Sequence, residues 1–571
     1  MMRHSSLRLL WAAGFVVFAC FAGGAADLRA QSAGGAVSCN EFLVPRVEVK
    51  GKQVGQESCQ MIESDLDFQG RKFRRLDMGI SGTVAGYTLK DNSARYANYI
   101  NEYPEIVYPQ AGVNAPFYHG IGRYEAAQGT SVTLMYPEDR SAWNGKMYVT
   151  AHGAGRSFKY ATLKTWDRNL NPADPLSDIS KYEKLMLEKG YALAKTRRST
   201  LMTGGDLIVT LDDGTVLRDR NLTEQPSFIM GLAKLAENVL ERRLGRKPSR
   251  TYWYGHSGGA RPGRMVNYKA GLNVDTDGTP IIDGIIADDA GAGLWVPAVI
   301  ENGKDILFAT EQSRERFVPQ IDITHLLYVN ETPDDPPSWR GYNNFTASKR
   351  MNAKLLRDKG LGDRHRVYEI AGISHSGGEY LPDGKSGDIE ILDMSRIMDG
   401  LIDILDNWVE KGIAPPPSKS DWAELGDADQ DGILENGPVA LPEVACPLGV
   451  YHIFPPSRGP RGQSTTGFAP FTGEGLEPED GRGHVATGAN VVNTVHHFVD
   501  MNQNGYRDFR ETVTQAWLRL GLLEPKEKFS RQVYTACVQE SVENLKAEGF
   551  ITSKVADFYL QQAATMPLPG K

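Results

Sequence analysis

The 571-residue chain predicts an α/β fold: a mostly parallel central sheet flanked by helices, followed by a smaller, mainly helical C-terminal domain. Three observations carry this expectation. From about residue 130 to 412, apolar runs of strand length alternate with amphipathic runs of helix length, the pattern of a layered α/β chain. The strand-like runs are almost continuously apolar, as in a parallel sheet covered on both faces. Between one such run and a helix-like run stands Tyr254-Gly255-His256-Ser257-Gly258-Gly259, a Gly-x-Ser-x-Gly pattern at a strand-to-helix turn.

Taken in order, the chain opens on Arg3, His4 and Arg8, the apolar run 9–23, and small residues Ala25, Ala26 and Ala30. This is the layout of an export signal over 1–30, and the run is too short to span a bilayer comfortably. Residues 31–129 are Gly- and Tyr-rich with short strand-like pieces and are expected to wrap the core. A catalytic domain over 130–413 follows, with strands expected at 131–136, 146–151, 191–194, 251–254, 284–287, 326–329 and 366–370. Helices are expected at 229–244, from Leu232, Leu235, Val239 and Leu240, and at 394–409, from Ile397, Leu401, Ile402, Leu405 and Trp408. Segments 157–180 and 291–322 are candidate lids, with Trp295 lining the pocket. Pro415, Pro416 and Pro417 mark a linker over 414–420, before a C-terminal domain at 421–571.

Export makes the cysteines a disulfide question. Without Cys20, the chain keeps Cys39, Cys59, Cys446 and Cys537, which allow three pairings. Cys39–Cys59 and Cys446–Cys537 are favoured, since each closes a loop within one region. A formal net charge of -8 argues against nucleic acid as a partner, because phosphate binding needs a basic face.

Ser257 sits where a sharp turn would expose a nucleophile, with Gly255 and Gly259 supplying the missing side chains. A serine hydroxyl needs a histidine to take its proton and a carboxylate to orient that histidine. In hydrolases of this build the order is serine, acid, histidine. His375 follows the last expected strand, within Gly372-Ile373-Ser374-His375-Ser376-Gly377-Gly378. The acid is expected after the strand ending at Val329: Asp334 first, then Glu331, then Asp335, with Asp288 and Asp289 as outside options. An oxyanion hole would use the N–H of Gly258 and that of Gly153 or Ala154, in His152-Gly153-Ala154-Gly155 after an early strand. His152 is read as shaping that loop.

Tyr136-Pro137-Glu138-Asp139-Arg140-Ser141-Ala142-Trp143-Asn144-Gly145-Lys146, Gly255-His256-Ser257-Gly258-Gly259, Ala270-Gly271-Leu272-Asn273 and Tyr368-Glu369-Ile370-Ala371-Gly372-Ile373-Ser374-His375 together resemble a family of exported bacterial α/β-hydrolase-domain proteins. The resemblance covers roughly residues 115–412. It implies the α/β-hydrolase fold and a serine esterase acting on carboxylic esters. That family's acid loop reads Ser-Glu-Thr-Asp; here Asn330-Glu331-Thr332-Pro333-Asp334 carries one extra residue, which keeps both Asp334 and Glu331 open. The His152–Gly155 loop also departs from the family's Asn-containing loop and is closer to lipase-type loops.

A second motif lies further on. Asp500-Met501-Asn502-Gln503-Asn504-Gly505-Tyr506-Arg507-Asp508-Phe509-Arg510-Glu511 has the twelve-residue EF-hand pattern. Asp500, Asn502, Asn504, Asp508 and Glu511 offer side-chain oxygens, Tyr506 its carbonyl, and Gly505 the turn. Val492, Val495 and Val499 before it, and Val513, Trp517 and Leu520 after it, have helical spacing. The piece 427–435 begins alike, but Pro438 stands where the final glutamate belongs, so it reads equally as a partial site or a turn. The sequence thus leads to an exported serine hydrolase of a small-molecule or polymeric ester, with structural Ca²⁺ and no integral membrane segment. The rival reading is a calcium-dependent binding or cell-surface protein whose hydrolase domain is inactive.

Overall fold

The structure, a computed structural model, describes residues 37–43, 47–49, 52–85, 90–91, 118–119, 125–152, 176, 178–197, 207–210, 216–219, 226–256, 259–268, 273–275, 277–289, 300–301, 304–305, 316–325, 353, 356–357, 359–373, 377, 385–386, 389–390, 392–420, 437–453, 466–470 and 512–568. Eleven strands form the main sheet: β1 (Val37–Ser38), β2 (Val47–Val49), β3 (Lys52–Phe68), β4 (Arg71–Ala85), β5 (Glu125–Pro137), β6 (Lys146–His152), β7 (Ala192–Arg197), β8 (Arg250–His256), β9 (Gly284–Asp288), β10 (Gln320–His325) and β11 (His365–Ile370). Their order is β1-β3-β4-β5-β7-β6-β8-β9-β10-β11, with β2 paired to β3.

From β7 through β6 to β11 every pairing is parallel. Parallel neighbours need a crossover between them. Helix α1 (Lys181–Glu188) lies between β6 and β7 in the chain, α2 (Pro226–Leu244) between β7 and β8, and α3 (Ala260–Tyr268) between β8 and β9. At the other edge β3, β4 and β5 are antiparallel, and β5 joins β7 antiparallel. The β3–β4 turn is Gln69-Gly70, both at positive φ (53° and 73°), the two-residue turn whose twist matches a hairpin. The segment before residue 130, expected to wrap the core, therefore supplies strands to the sheet.

Alternate residues of the parallel strands enter two apolar layers, which is why these strands read as unbroken apolar runs. Tyr148, Leu193, Tyr252, Ile286, Ile323 and Tyr368 share one layer with α1 and with α4 (Ser395–Lys411), through Met186, Leu401 and Leu405. Val149, Ala194, Trp253 and Ile285 share the other with Leu232, Leu235 and Val239 of α2.

One described strand lies outside the expected set. The apolar run 326–329 predicts a strand that lies outside the described residues, whereas β10 is Gln320–His325. Its Gln320, Asp322, Thr324 and His325 are fully buried, so hydropathy could not mark them as a core strand. Partners make the burial of Gln320, Asp322 and His325 tolerable. Asp322 accepts from Arg264 (2.8 Å), Gln320 (3.0 Å) and His365 (2.7 Å), tying α3, β10 and β11 together.

Beyond α4, residues 414–420, expected as a linker, run along β11. Arg366 and Tyr368 donate to the Pro416 carbonyl, and Lys419 bridges Tyr368 in parallel; Val439 bridges Ile370 the same way. Helices α5 (Pro442–Ala445), α6 (Val513–Arg519), α7 (Arg531–Ala547) and α8 (Ser553–Thr565) continue the α4 layer. Tyr368 and Phe550 meet edge to face at 4.9 Å, and Thr552 donates to Asp399 across 2.6 Å. Both favoured disulfides, Cys39–Cys59 and Cys446–Cys537, are formed. Among the described residues no helix is long and apolar enough to cross a membrane.

Candidate active site

The expected strand–turn–helix around Ser257 has its two arms in place. β8 ends at His256 and α3 starts at Ala260, leaving three residues for the reversal. A Cβ on Gly255 would overlap the backbone of Gly259 and Ala260, and one on Gly263 would overlap the Trp253 ring. Helix and strand are therefore in backbone contact, which only glycine at these positions permits. Ser257 and Gly258 themselves lie outside the described residues.

The ends of the parallel strands bring the other predicted segments to the same edge. His152, the last residue of β6, pairs in register with His256 of β8, and Asp288 of β9 pairs with His256 from the other side. The loop with Gly153 and Ala154 thus starts beside the elbow. His375 lies between Ile373 and Gly377. Ile373 follows the turn of Ala371 and Gly372 (φ 76°) after β11. Gly377, at φ 54°, accepts from the Tyr182 hydroxyl (3.1 Å) and from the Met394 N–H (3.1 Å) through its carbonyl. A Cβ there would overlap the Tyr182 hydroxyl and stand 3.4 Å from Cε1 of His325. Gly377 is thereby held between α1 and the end of β10. Gly153, Ala154, Glu331, Asp334, Asp335 and His375 lie outside the described residues, as do Trp295, the 427–435 piece and the whole 500–511 loop.

Directly beneath the elbow is a buried cluster that sequence reasoning missed as a unit. Oδ2 of Asp288 accepts from Nδ1 of His256 (2.8 Å) and the hydroxyl of Tyr254 (2.9 Å), and Oδ1 accepts from Nε2 of His325 (2.8 Å). An ionised carboxylate only accepts, so these contacts assign the proton to Nδ1 of His256 and Nε2 of His325. Burial alone would raise the Asp288 carboxyl; the imidazoles of His325 and His256 outweigh it and hold the group well below the usual carboxylate range. Asp289, at φ 42°, accepts from the His325 N–H (3.1 Å) and donates its own N–H to Ile323 (3.0 Å). As alternative acids, Asp288 already serves three donors and Asp289 braces β10. His256 was legible in the motif, but nothing local linked it to Asp288, 32 positions on, or Asp288 to His325, 37 positions further.

Residues 232–476 match a family model described as an alpha/beta hydrolase domain. The comparison with curated proteins gave no match. Among solved structures, poly(aspartic acid) hydrolase-1 from Sphingomonas sp. KT-1 is 12% identical, covering 42% of this chain and 86% of its own, at a TM-score of 0.26. A poly(3-hydroxybutyrate) depolymerase from Bordetella parapertussis is 12% identical, covering 52% and 90%, at 0.27. An esterase from Pyrobaculum calidifontis is 11% identical, covering 42% and 71%, at 0.24. At these scores the likenesses carry no argument by themselves. The family match over 232–476 and the parallel sheet both fit an alpha/beta hydrolase domain in this part of the chain.

Proposed function

We propose that the protein is an exported serine hydrolase that cleaves carboxylic esters through an acyl-serine intermediate. In this reading Ser257 Oγ attacks the ester carbonyl while His375 takes its proton, and Asp334 orients the imidazole. The N–H groups of Gly258 and of Gly153 or Ala154 receive the developing oxyanion. His375 returns the proton to the departing alcohol; water, deprotonated by the same histidine, then releases the acid and frees Ser257. The observation that carries the reading is that β8 ends at His256 and α3 begins at Ala260, with β6 beside β8 in the same parallel sheet and β11 three strands further along it.

Export is supported by the signal-like N-terminus and two disulfides, which persist in oxidising compartments. Ca²⁺ on Asp500, Asn502, Asn504, Tyr506, Asp508 and Glu511 is proposed as a structural ion, from the loop's match to the EF-hand ligand pattern. The substrate class stays at small or polymeric esters, since a triad alone does not select an acyl group. The test is turnover of a short-chain nitrophenyl ester: Ser257→Ala should lower kcat by about 10⁴-fold or more. Unchanged turnover in that variant sinks the proposal.

A further inference from the structure

The Asp288 cluster does more than the triad reading asks of it. Asp288, His256 and His325 are all essentially excluded from solvent, and isolated charge at such a place is costly. A packing role would be met by an apolar or amide side chain. A carboxylate is singular in accepting from three donors at once. Those donors sit at informative places: Tyr254 and His256 on the nucleophile strand, and His325 at the last position of β10, packed beneath Gly377. In the chain, His256 immediately precedes Ser257, and Gly377 is two residues from His375.

We propose that Asp288 is a positioning residue for ester hydrolysis: through His256 and His325 it fixes the elbow strand relative to the loop that carries the general base. The proposal rests on Ser257 and His375 being nucleophile and base. Replacing Asp288 by asparagine keeps the shape but brings an N–H against one of the two imidazole N–H groups. One histidine must then move its proton to the other nitrogen or turn away, and the strand end or the base loop shifts with it. Displacements of about 1 Å near a reacting pair cost about 10²-fold.

Asp288→Asn should therefore lower kcat about 10- to 100-fold with KM within about threefold, counted per active site titrated with a fluorophosphonate. The rate of phosphonylation of Ser257 should fall in parallel. A variant that folds and keeps its kcat per titrated site, or loses activity only as its folded fraction falls, overturns the proposal. Should Asp288→Asn not fold, two variants at the neighbouring position decide. His325→Gln keeps an N–H donor for Asp288 and should retain about tenfold more kcat than His325→Leu, which keeps none. Equal kcat in that pair counts against the proposal. Wild-type protein that is never labelled at Ser257 overturns the nucleophile reading and this one with it, an outcome distinct from a labelled enzyme indifferent to Asp288.

Discussion

Two aspartates near β9 show how far residue-level behaviour depends on partners. Asp288 is driven down by two imidazoles, as above. Asp283, just before the strand, is pushed up to about 6: burial dominates, and the Thr251 N–H (2.8 Å) and the Arg250 guanidinium (3.4 Å) offset it only in part. The sign follows. The folded state holds this proton at pH values where the unfolded chain, with a carboxylate pKa of about 4, has released it. The contribution is fully present below about pH 4 and is lost as pH rises through 6, by about 3 kcal/mol at most. Asp283→Asn lacks this dependence. Urea titrations should show the variant gaining on the wild type between pH 4 and 7.5; a difference that is flat with pH contradicts the assignment. At this scale Ser257 and His375 are proposed from a motif and from a position after the last strand. Asp288 was legible only as a spare carboxylate, since its three donors come from β8 and β10.

At the scale of elements, glycines record where strand and helix touch. Gly263 of α3 lies against the Trp253 ring, and an added methyl has nowhere to go unless the helix moves off β8. Gly263→Ala is expected to lower unfolding free energy by about 1–3 kcal/mol in urea titration, and to reduce ester turnover beyond the folded fraction lost. A variant with wild-type stability would mean that helix and strand are not in this contact. The sequence placed most of the parallel strands to within a few residues: 251–254 became Arg250–His256, and 284–287 became Gly284–Asp288. It left β10 unmarked because Gln320, Asp322, Thr324 and His325 read as surface, although Arg264 and His365 give Asp322 its partners and Asp288 gives His325 one. The antiparallel strands β3 and β4 were illegible for a related reason: charges such as Arg75 and Asp77 of β4 are buried. Arg75 pairs with Asp77 at 2.9 Å and with Asp178 at 2.8 Å.

For the whole molecule, the sheet, α4 and the C-terminal helices share one apolar layer, which holds Tyr368, Leu401, Val542, Phe550 and Tyr559 together. A Cβ on Gly400 of α4 would overlap the Phe550 carbonyl, so the two parts are in backbone contact. The Cys446–Cys537 bridge spans 91 positions, a separation at which chain-entropy arguments give about 4–5 kcal/mol. An ion bound at 500–511 would act on this assembly, because the loop leads straight into α6, whose Trp517 is buried and donates to the Pro447 carbonyl at 2.7 Å. Chelation is thus expected to lower Tm while leaving most activity at 25 °C, as binding to the native state alone stabilises it by mass action. An unchanged Tm would remove the structural role for calcium.

The central claim is that Ser257, delivered by the β8–α3 reversal, is activated by a base on the loop after β11. Mass spectrometry of protein treated with a fluorophosphonate tests it most directly. The account predicts one phosphonyl adduct on the peptide containing Ser257, formed at least about 10²-fold more slowly in His375→Ala. An adduct on another residue, or labelling indifferent to His375, contradicts it.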